Sequence, residues 1–327
     1  MTLLSANDLT TVTDYLERRS LLAVGEAVHA VAPAGEGNMN VTLSVTTDRR
    51  TVVVKQSRPF VAKFPQLPAP LDRIVTEHAY LSAAARVPAL AARQPRVLHF
   101  DAENYVLVLE YLAGAEDLSY VYAADRSLPG GLTEQLGTYL SELHQLDPAG
   151  FSPNRELRAL NHAHIFDLPF RTDNGFTLDE MQPGLAEAAR PYQNDEALCH
   201  AAAELGGVYL SGGPTLVHGD FYPGSFMIRG GQLFVIDGEF AHPGRAEFDV
   251  GVLLGHLVLA GEVSPPERQF IALAGYAPPQ GFDWDLASRF AAVEIMRRLI
   301  GIAQLPLDLP LAARQEHLAR ARAMMVD

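Results

Sequence analysis

The chain has 327 residues, 48% of them hydrophobic, and a formal net charge of −14, enough apolar material for two modest domains or one large one and too much for a disordered chain. Such acidity argues against a nucleic-acid backbone or an anionic membrane surface as partner. The single Cys199 excludes an intramolecular disulfide and a thiolate metal cluster; with Asp8, Asp14 and Glu17 in place of a signal pattern among the first 22 residues, a cytoplasmic protein is expected.

In chain order, Ser5 and Asp8 open a helix in which Leu9, Val12, Tyr15 and Leu16 recur at helical spacing. Three strands follow at residues 27–31, 41–47 and 50–55, with Gly35-Glu36-Gly37-Asn38 at the first bend. A proline-rich connector, 65–70, leads to a helix at 71–85, and strands at 96–100 and 105–109 complete a small sheet. Glu110-Tyr111-Leu112 marks the switch to helical character. The helices expected beyond it are 132–146, 195–205, 249–261, 267–274, 284–303 and 311–326, interrupted by a hairpin. Residues 147–193, rich in Pro, Asn and Asp, read as a long irregular insertion or flap on the substrate side. The longest apolar stretch, 250–260, falls short of the roughly 20 residues a membrane helix requires. The fold class is α+β, with residues 1–111 forming an N-terminal antiparallel β-sheet lobe with one main helix, and 112–327 a larger, mostly helical lobe.

The chemistry concentrates in the hairpin. His218-Gly219-Asp220 follows the strand end Leu216-Val217, Ser225 lies five residues past the aspartate, and two apolar runs, 226–228 and 233–236, flank the tight-turn signal Arg229-Gly230-Gly231-Gln232. Asp237-Gly238-Glu239 closes the hairpin. Singly, an Asp beside Gly is an ordinary turn residue. In this order and spacing the carboxylates match phosphoryl transfer, which needs one to face the acceptor hydroxyl and others to hold a divalent cation. An extended segment would point Asp237 and Glu239 to one face. Gly35-x-Gly37 alone is more often a hairpin turn than a phosphate cradle. Its weight comes from Lys55, one of only two lysines, placed one strand later, with Glu77 on the following helix as its best acidic partner. Asp249 opens a helix and braces the hairpin loop through backbone amides. Arg297 and Arg298 sit on an otherwise apolar helix, 291–303, about 100° apart, so at most one is expected to face the site while the other pairs with an acidic residue. His242 and His256 read as non-catalytic.

These residues resemble the protein-kinase-like small-molecule phosphotransferases that modify aminoglycosides, choline and homoserine, and within them the methylthioribose kinases. The resemblance is carried by Gly35-Glu36-Gly37-Asn38-Met39-Asn40, Val54-Lys55-Gln56, Glu116-Asp117-Leu118-Ser119, His218 to Phe226 with Gly224-Ser225 in place of the usual asparagine, Asp237-Gly238-Glu239-Phe240-Ala241, Phe248-Asp249-Val250-Gly251, and Arg297-Arg298-Leu299-Ile300-Gly301. It implies a two-lobed kinase-like fold, with ATP and Mg²⁺ as cofactors and a small-molecule alcohol as substrate. Asp220 is then the base; Gly35, Gly37, Asn38, Lys55, Glu77, Glu110 and Leu112 bind the nucleotide; Asp237, Glu239 and Ser225 hold the metal; and Arg297 and Arg298 meet the substrate. The expected reaction is phosphorylation of the anomeric hydroxyl of 5-methylthioribose in methionine salvage. An aminoglycoside, amino alcohol or other pentose is the alternative acceptor, and a nucleotide-binding regulator without catalysis is the third reading. A homodimer is allowed. The chain departs from the methylthioribose kinases in its shorter length, in Tyr222 where a histidine is expected, and in having Trp284 as its only tryptophan.

Overall fold

A computed structural model describes residues 2–35, 39–123, 125–261 and 274–326. Gly37, Asn38 and residues 267–273 of the helix expected at 267–274 lie outside the described residues. The chain divides into two compact units, Met1–Ala115 with Phe234–Phe240, and Glu116–Leu233 with Ala241–Asp327.

In the first unit, α1 (Leu9–Arg18) starts where the Asp8 side chain accepts from the Thr11 amide, satisfying one of the orphan donors of the first turn. Strands β1 (Val28–Pro33), β2 (Val41–Thr47) and β3 (Thr51–Gln56) are followed by a two-stranded hairpin, β4 (Phe60–Val61) and β5 (Phe64–Pro68), helices α2 (Arg73–Ala84) and α3 (Pro88–Ala91), and strands β6 (Val97–Asp101) and β7 (Val106–Glu110). The main sheet has the order β1-β2-β3-β7-β6, all antiparallel. Alternation along β2 turns Leu43 and Val45 inward, where they pack with Val12, Tyr15 and Leu16 of α1 and with Val52, Val54, Val106 and Val108.

The proline-rich segment expected as a connector is largely β5. A two-stranded hairpin at an edge tolerates prolines that a central strand would not. What holds it is Arg73, a guanidinium with no solvent exposure, donating to the carbonyls of Met39 at 2.8 Å, Arg58 at 2.8 Å and Pro70 at 2.6 Å and to Asn40 Oδ1 at 2.8 Å.

From Glu116 on the chain forms β8 (Glu116–Asp117), α4 (Leu132–Leu143), α5 (Arg155–His162), α6 (Leu178–Met181), α7 (Leu185–Gln193), α8 (Glu196–Ser211), β9 (Thr215–Val217), β10 (Phe226–Arg229), β11 (Gln232–Val235), β12 (His242–Gly244), α9 (Ala246–Leu259), α10 (Trp284–Ile300) and α11 (Leu311–Val326), all in the second unit except β11, whose last two residues belong to the first. Residues 147–193 are therefore mostly helical, not irregular. Leu157, Ile165, Phe166, Leu185 and Ala189 are buried there, and the polar residues that suggested a loop occupy breaks such as Asn154, at φ 49°. Between β10 and β11, Gly230 and Gly231 both have positive φ, the condition for a tight turn that matches strand twist.

Helices α9 and α10 approach closely because glycines face the contact. A Cβ on Gly251 would lie 2.4 Å from Phe290 Cβ and 2.6 Å from the Ala287 carbonyl, and one on Gly255 would lie 2.8 Å from the Ala291 carbonyl. Among the described residues no helix is long and apolar enough to cross a membrane. Gly251→Ala is expected to force these helices apart and cost about 1–3 kcal/mol, read as a lower urea midpoint with an unchanged m-value.

Candidate active site

The loop after β9 is shaped by Asp249. Its two carboxylate oxygens accept from the backbone amides of His218 at 2.7 Å and Gly219 at 2.9 Å, and Oδ2 lies 3.3 Å from His144 Nε2. Burial would raise this carboxyl, but His144, His218 and the amide bonds outweigh it and hold it below the usual range. Asp249 sits in the first turn of α9 instead of opening the helix; Arg245 occupies the cap position. Ser225 is buried, and its hydroxyl donates to the Asp220 carbonyl at 2.8 Å.

Asp220 itself keeps 18% of its side chain exposed. Arg298 Nη2 lies 3.5 Å and Arg297 Nη1 3.7 Å from the same oxygen, Oδ1. The expectation that at most one arginine faces this carboxylate is therefore corrected. Glu294, three and four residues earlier on α10, explains the convergence: its Oε2 is 3.1 Å from Arg297 Nη1 and its Oε1 is 2.6 Å from Arg298 Nε. Residues at those spacings share one helix face, and the carboxylate draws both long side chains to it. Burial raises the Asp220 carboxyl, and the two guanidiniums only partly offset that. Burial would raise Glu294 as well, yet Arg297 and Arg298 hold it far below the carboxylate range.

Behind Glu294 stands His256. Its Nε2 lies 3.0 Å from Glu294 Oε1, and its Nδ1 lies 2.5 Å from the Tyr122 hydroxyl. An ionised carboxylate only accepts, so Nε2 carries the proton and Nδ1 accepts from Tyr122. Burial brings this imidazole down to about 4, against the hydrogen bond it donates to Glu294, so the ring is neutral at ordinary pH. Tyr222 completes the cluster, with the Arg298 guanidinium 4.7 Å from its ring centroid.

In the first unit, Lys55 Nζ lies 2.6 Å from Glu77 Oε1 and also bonds Asp237 Oδ1. Burial alone would lower the Lys55 pKa, but Asp237, Glu77 and Glu239 outweigh it and raise it, keeping the ammonium charged. Asp237 has φ 62° and leads into a 3₁₀ turn, Gly238–Phe240. The extended geometry expected for 237–239 is thus replaced by a turn, and the two carboxylates have different surroundings. Glu239 is buried; its Oε2 accepts from Asn40 Nδ2 at 2.8 Å and lies 3.7 Å from Arg73. Burial pushes its carboxyl up to about 8. Asp237, 43% exposed, offers the hard oxygen a divalent cation takes, whereas Glu239 braces Asn40 and Arg73. Among the described residues no group of three or more His, Cys, Asp or Glu is arranged to hold a metal ion. Magnesium commonly needs only one or two carboxylates besides phosphate and water, so Asp237 fits that role. The turn is fixed by Tyr80, whose Cδ1 would lie 2.3 Å from a Cβ on Gly238, and by the Val235 amide, which donates to the Arg93 carbonyl at 2.8 Å.

Gly35 has φ 75°. At the end of β7 the Glu110 amide bonds the Arg96 carbonyl at 2.9 Å, its side chain pairs with Arg96, and the Leu112 carbonyl accepts from Ala115. Sequence reading did not single out Glu294 or Tyr122, and it set His256 aside. The available signal was a glutamate at i−3 and i−4 from an arginine pair on an apolar helix.

The profile of the phosphotransferase enzyme family matches residues 30–286. The chain is 28% identical to a methylthioribose kinase of Exiguobacterium sibiricum, over 76% of this chain and 66% of that one. It is 30% identical to a methylthioribose kinase of Yersinia pseudotuberculosis, over 75% of this chain and 63% of that one. The matched part thus spans slightly under two thirds of the length of these curated relatives. A choline/ethanolamine kinase family protein from Mesorhizobium loti has a similar fold, with a TM-score of 0.52 at 18% identity, covering 91% of this chain and 89% of that one.

The depressed His256 gives a signed pH dependence. Between its folded value of about 4 and an unfolded value near 6.5, the unfolded chain binds the extra proton, so this residue's contribution to stability falls as pH falls through that window. His256→Gln is expected to flatten the slope of unfolding free energy against pH there by up to about 1.4 kcal/mol per pH unit, measured by urea titration at pH 4.5, 5.5, 6.5 and 7.5.

Proposed function

We propose, for a chain that belongs to the phosphotransferase enzyme family, that it transfers the γ-phosphoryl group of ATP to the anomeric hydroxyl of 5-methylthioribose, a methionine-salvage step in the cytoplasm. The observation that carries the choice of acceptor is the pair of guanidiniums beside Asp220. Two guanidiniums and two carboxylates leave the surroundings of the base with no net negative charge to attract an ammonium-bearing acceptor such as an aminoglycoside or an amino alcohol; they suit a neutral sugar, whose hydroxyls a guanidinium can fork. The methylthioribose kinases at 28–30% identity support the same choice.

In this reading residues 1–111 bind the nucleotide and residues 112–327 carry the acceptor and the base. Lys55, aimed by Glu77, meets the phosphates; the backbone of Gly35, Gly37 and Asn38 approaches them; Glu110 and Leu112 present main-chain groups to the adenine edge. Asp237 would hold Mg²⁺, whose binding would supply neutralisation of charge on the phosphate oxygens; Ser225, its hydroxyl donating to the Asp220 carbonyl, carries no charge of its own. Both arginines lie on the Oδ1 side of Asp220, leaving Oδ2 to accept the acceptor's hydroxyl proton. The hydroxyl oxygen forms the new bond to phosphorus, the bond between phosphorus and the β-bridging oxygen breaks, ADP leaves, and the proton ends on Asp220.

A coupled ADP-release assay over methylthioribose, other pentoses, an aminoglycoside and an amino alcohol checks this. Methylthioribose is expected to be turned over best; rapid turnover of another alcohol with none of methylthioribose rejects the acceptor. Asp220→Asn is expected to lower kcat by about 10²- to 10⁴-fold. An unchanged rate in that variant rejects the base and favours a nucleotide-binding regulator.

A further inference from the structure

We infer that Glu294 is a positioning residue of the acceptor site, the carboxylate that holds Arg297 and Arg298 off Asp220; the inference rests on Asp220 being the phosphotransfer base. The distances divide in two classes. Both guanidiniums approach Glu294 at 2.6 and 3.1 Å, close hydrogen-bond distances. The same two groups stand farther from Asp220, at 3.5 and 3.7 Å, the first at the outer limit of a hydrogen bond and the second past it. Glu294 therefore outcompetes Asp220 for the arginines while leaving their charge beside it.

Charge balance shows why a second carboxylate is required. Two buried guanidiniums facing Asp220 alone would leave one positive charge without a counterion, and the stable response is for both to close onto the only anion present. A base clamped by two guanidiniums at hydrogen-bond distance has fewer lone pairs for a hydroxyl and is a weaker proton acceptor. With Glu294 the four charges sum to zero, and Asp220 keeps its partial exposure. Glu294 is itself fixed: His256 donates to it at 3.0 Å and Tyr122 holds His256 in the tautomer that can donate. Arg298 is further confined by the ring of Tyr222, 4.7 Å away. The carboxylate that restrains the arginines is thus tied through His256 to α9 and through Tyr122 to the segment before α4, and its position does not depend on the arginines alone.

Glu294→Gln keeps the shape and removes the charge. It is expected to remain folded, to leave the KM for ATP within about twofold, and to lower kcat about 10²-fold, because both guanidiniums close onto Asp220. The decisive measurement is a double-mutant cycle with Arg297→Gln. Removing one guanidinium in the Glu294→Gln background is expected to leave kcat no lower than in Glu294→Gln alone, whereas a purely structural role makes the two losses multiply. Multiplying losses, or a kcat for Glu294→Gln within twofold of wild type, overturns the inference. Should Glu294→Gln not fold, Glu294→Asp, one methylene shorter, enters the same cycle under the same criteria. Wild-type activity separates the two levels of argument. If the unaltered chain phosphorylates no alcohol, the kinase reading falls and takes this one with it; if it phosphorylates one and Glu294→Gln keeps the rate, only the role of Glu294 falls.

Discussion

A guanidinium cannot be left alone in a dry interior, and the second unit is arranged around that constraint. Arg297 and Arg298 occupy adjacent positions in the buried C-terminal part of α10, Phe290–Ile300, so both cations enter the interior together. The desolvation cost of two such charges is several kcal/mol each, and only nearby carboxylates with good geometry offset it. Glu294 and Asp220 supply them, His256 and Tyr122 fix Glu294 in place, and the whole cluster requires α9 to lie close enough for His256 to reach α10. Gly251 and Gly255 provide that proximity by presenting no side chain where the helices meet. The packing of two helices and the electrostatics of one carboxylate are therefore one problem.

The first unit solves a similar problem with different groups. Arg73, fully buried, finds its acceptors on the backbone: the carbonyls of Met39, Arg58 and Pro70 lie at three chain positions that a loop and a hairpin would otherwise leave untethered. Asn40 and Glu239 join the same network. Lys55 is balanced by Glu77 and Asp237. In both units a buried cation ties together segments distant in sequence, which a purely apolar core would hold less specifically.

Periodicity and turn chemistry made much of this legible. Strand β2 and helix α11 occupy the residues that alternation and 3.6-residue spacing assign, and Gly230-Gly231 forms the turn that two adjacent glycines between apolar runs demand. The helices within 147–193 were obscured because many of their prolines, asparagines and aspartates sit in breaks while Asn161, Asp179 and Pro191 lie within α5, α6 and α7, and because the buried positions are few per helix. The backbone of Asp237 was obscured for another reason: φ 62° is a conformation aspartate tolerates, so nothing in the sequence marks it against an extended reading. For the arginine pair, helical geometry gave the angle between neighbouring Cβ vectors but not the reach of side chains drawn to a common anion. Glu294 lay at the right spacing, but a glutamate three or four residues from an arginine is also the pattern of an ordinary surface pair on a helix, so spacing alone does not mark it.

Residues Phe234–Phe240 belong to the first unit although more than a hundred residues separate them from the rest of it. Tyr80 closes over Gly238, Arg93 receives the Val235 amide, and Asp237 shares Lys55 with Glu77. A fragment cut after Ala115 would consequently expose an aromatic face, forfeit a backbone hydrogen bond and leave an ammonium with one counterion fewer. The first unit is better regarded as assembled by two passes of the chain, so its folding cannot finish during synthesis until the hairpin strand β11 and the turn after it have emerged.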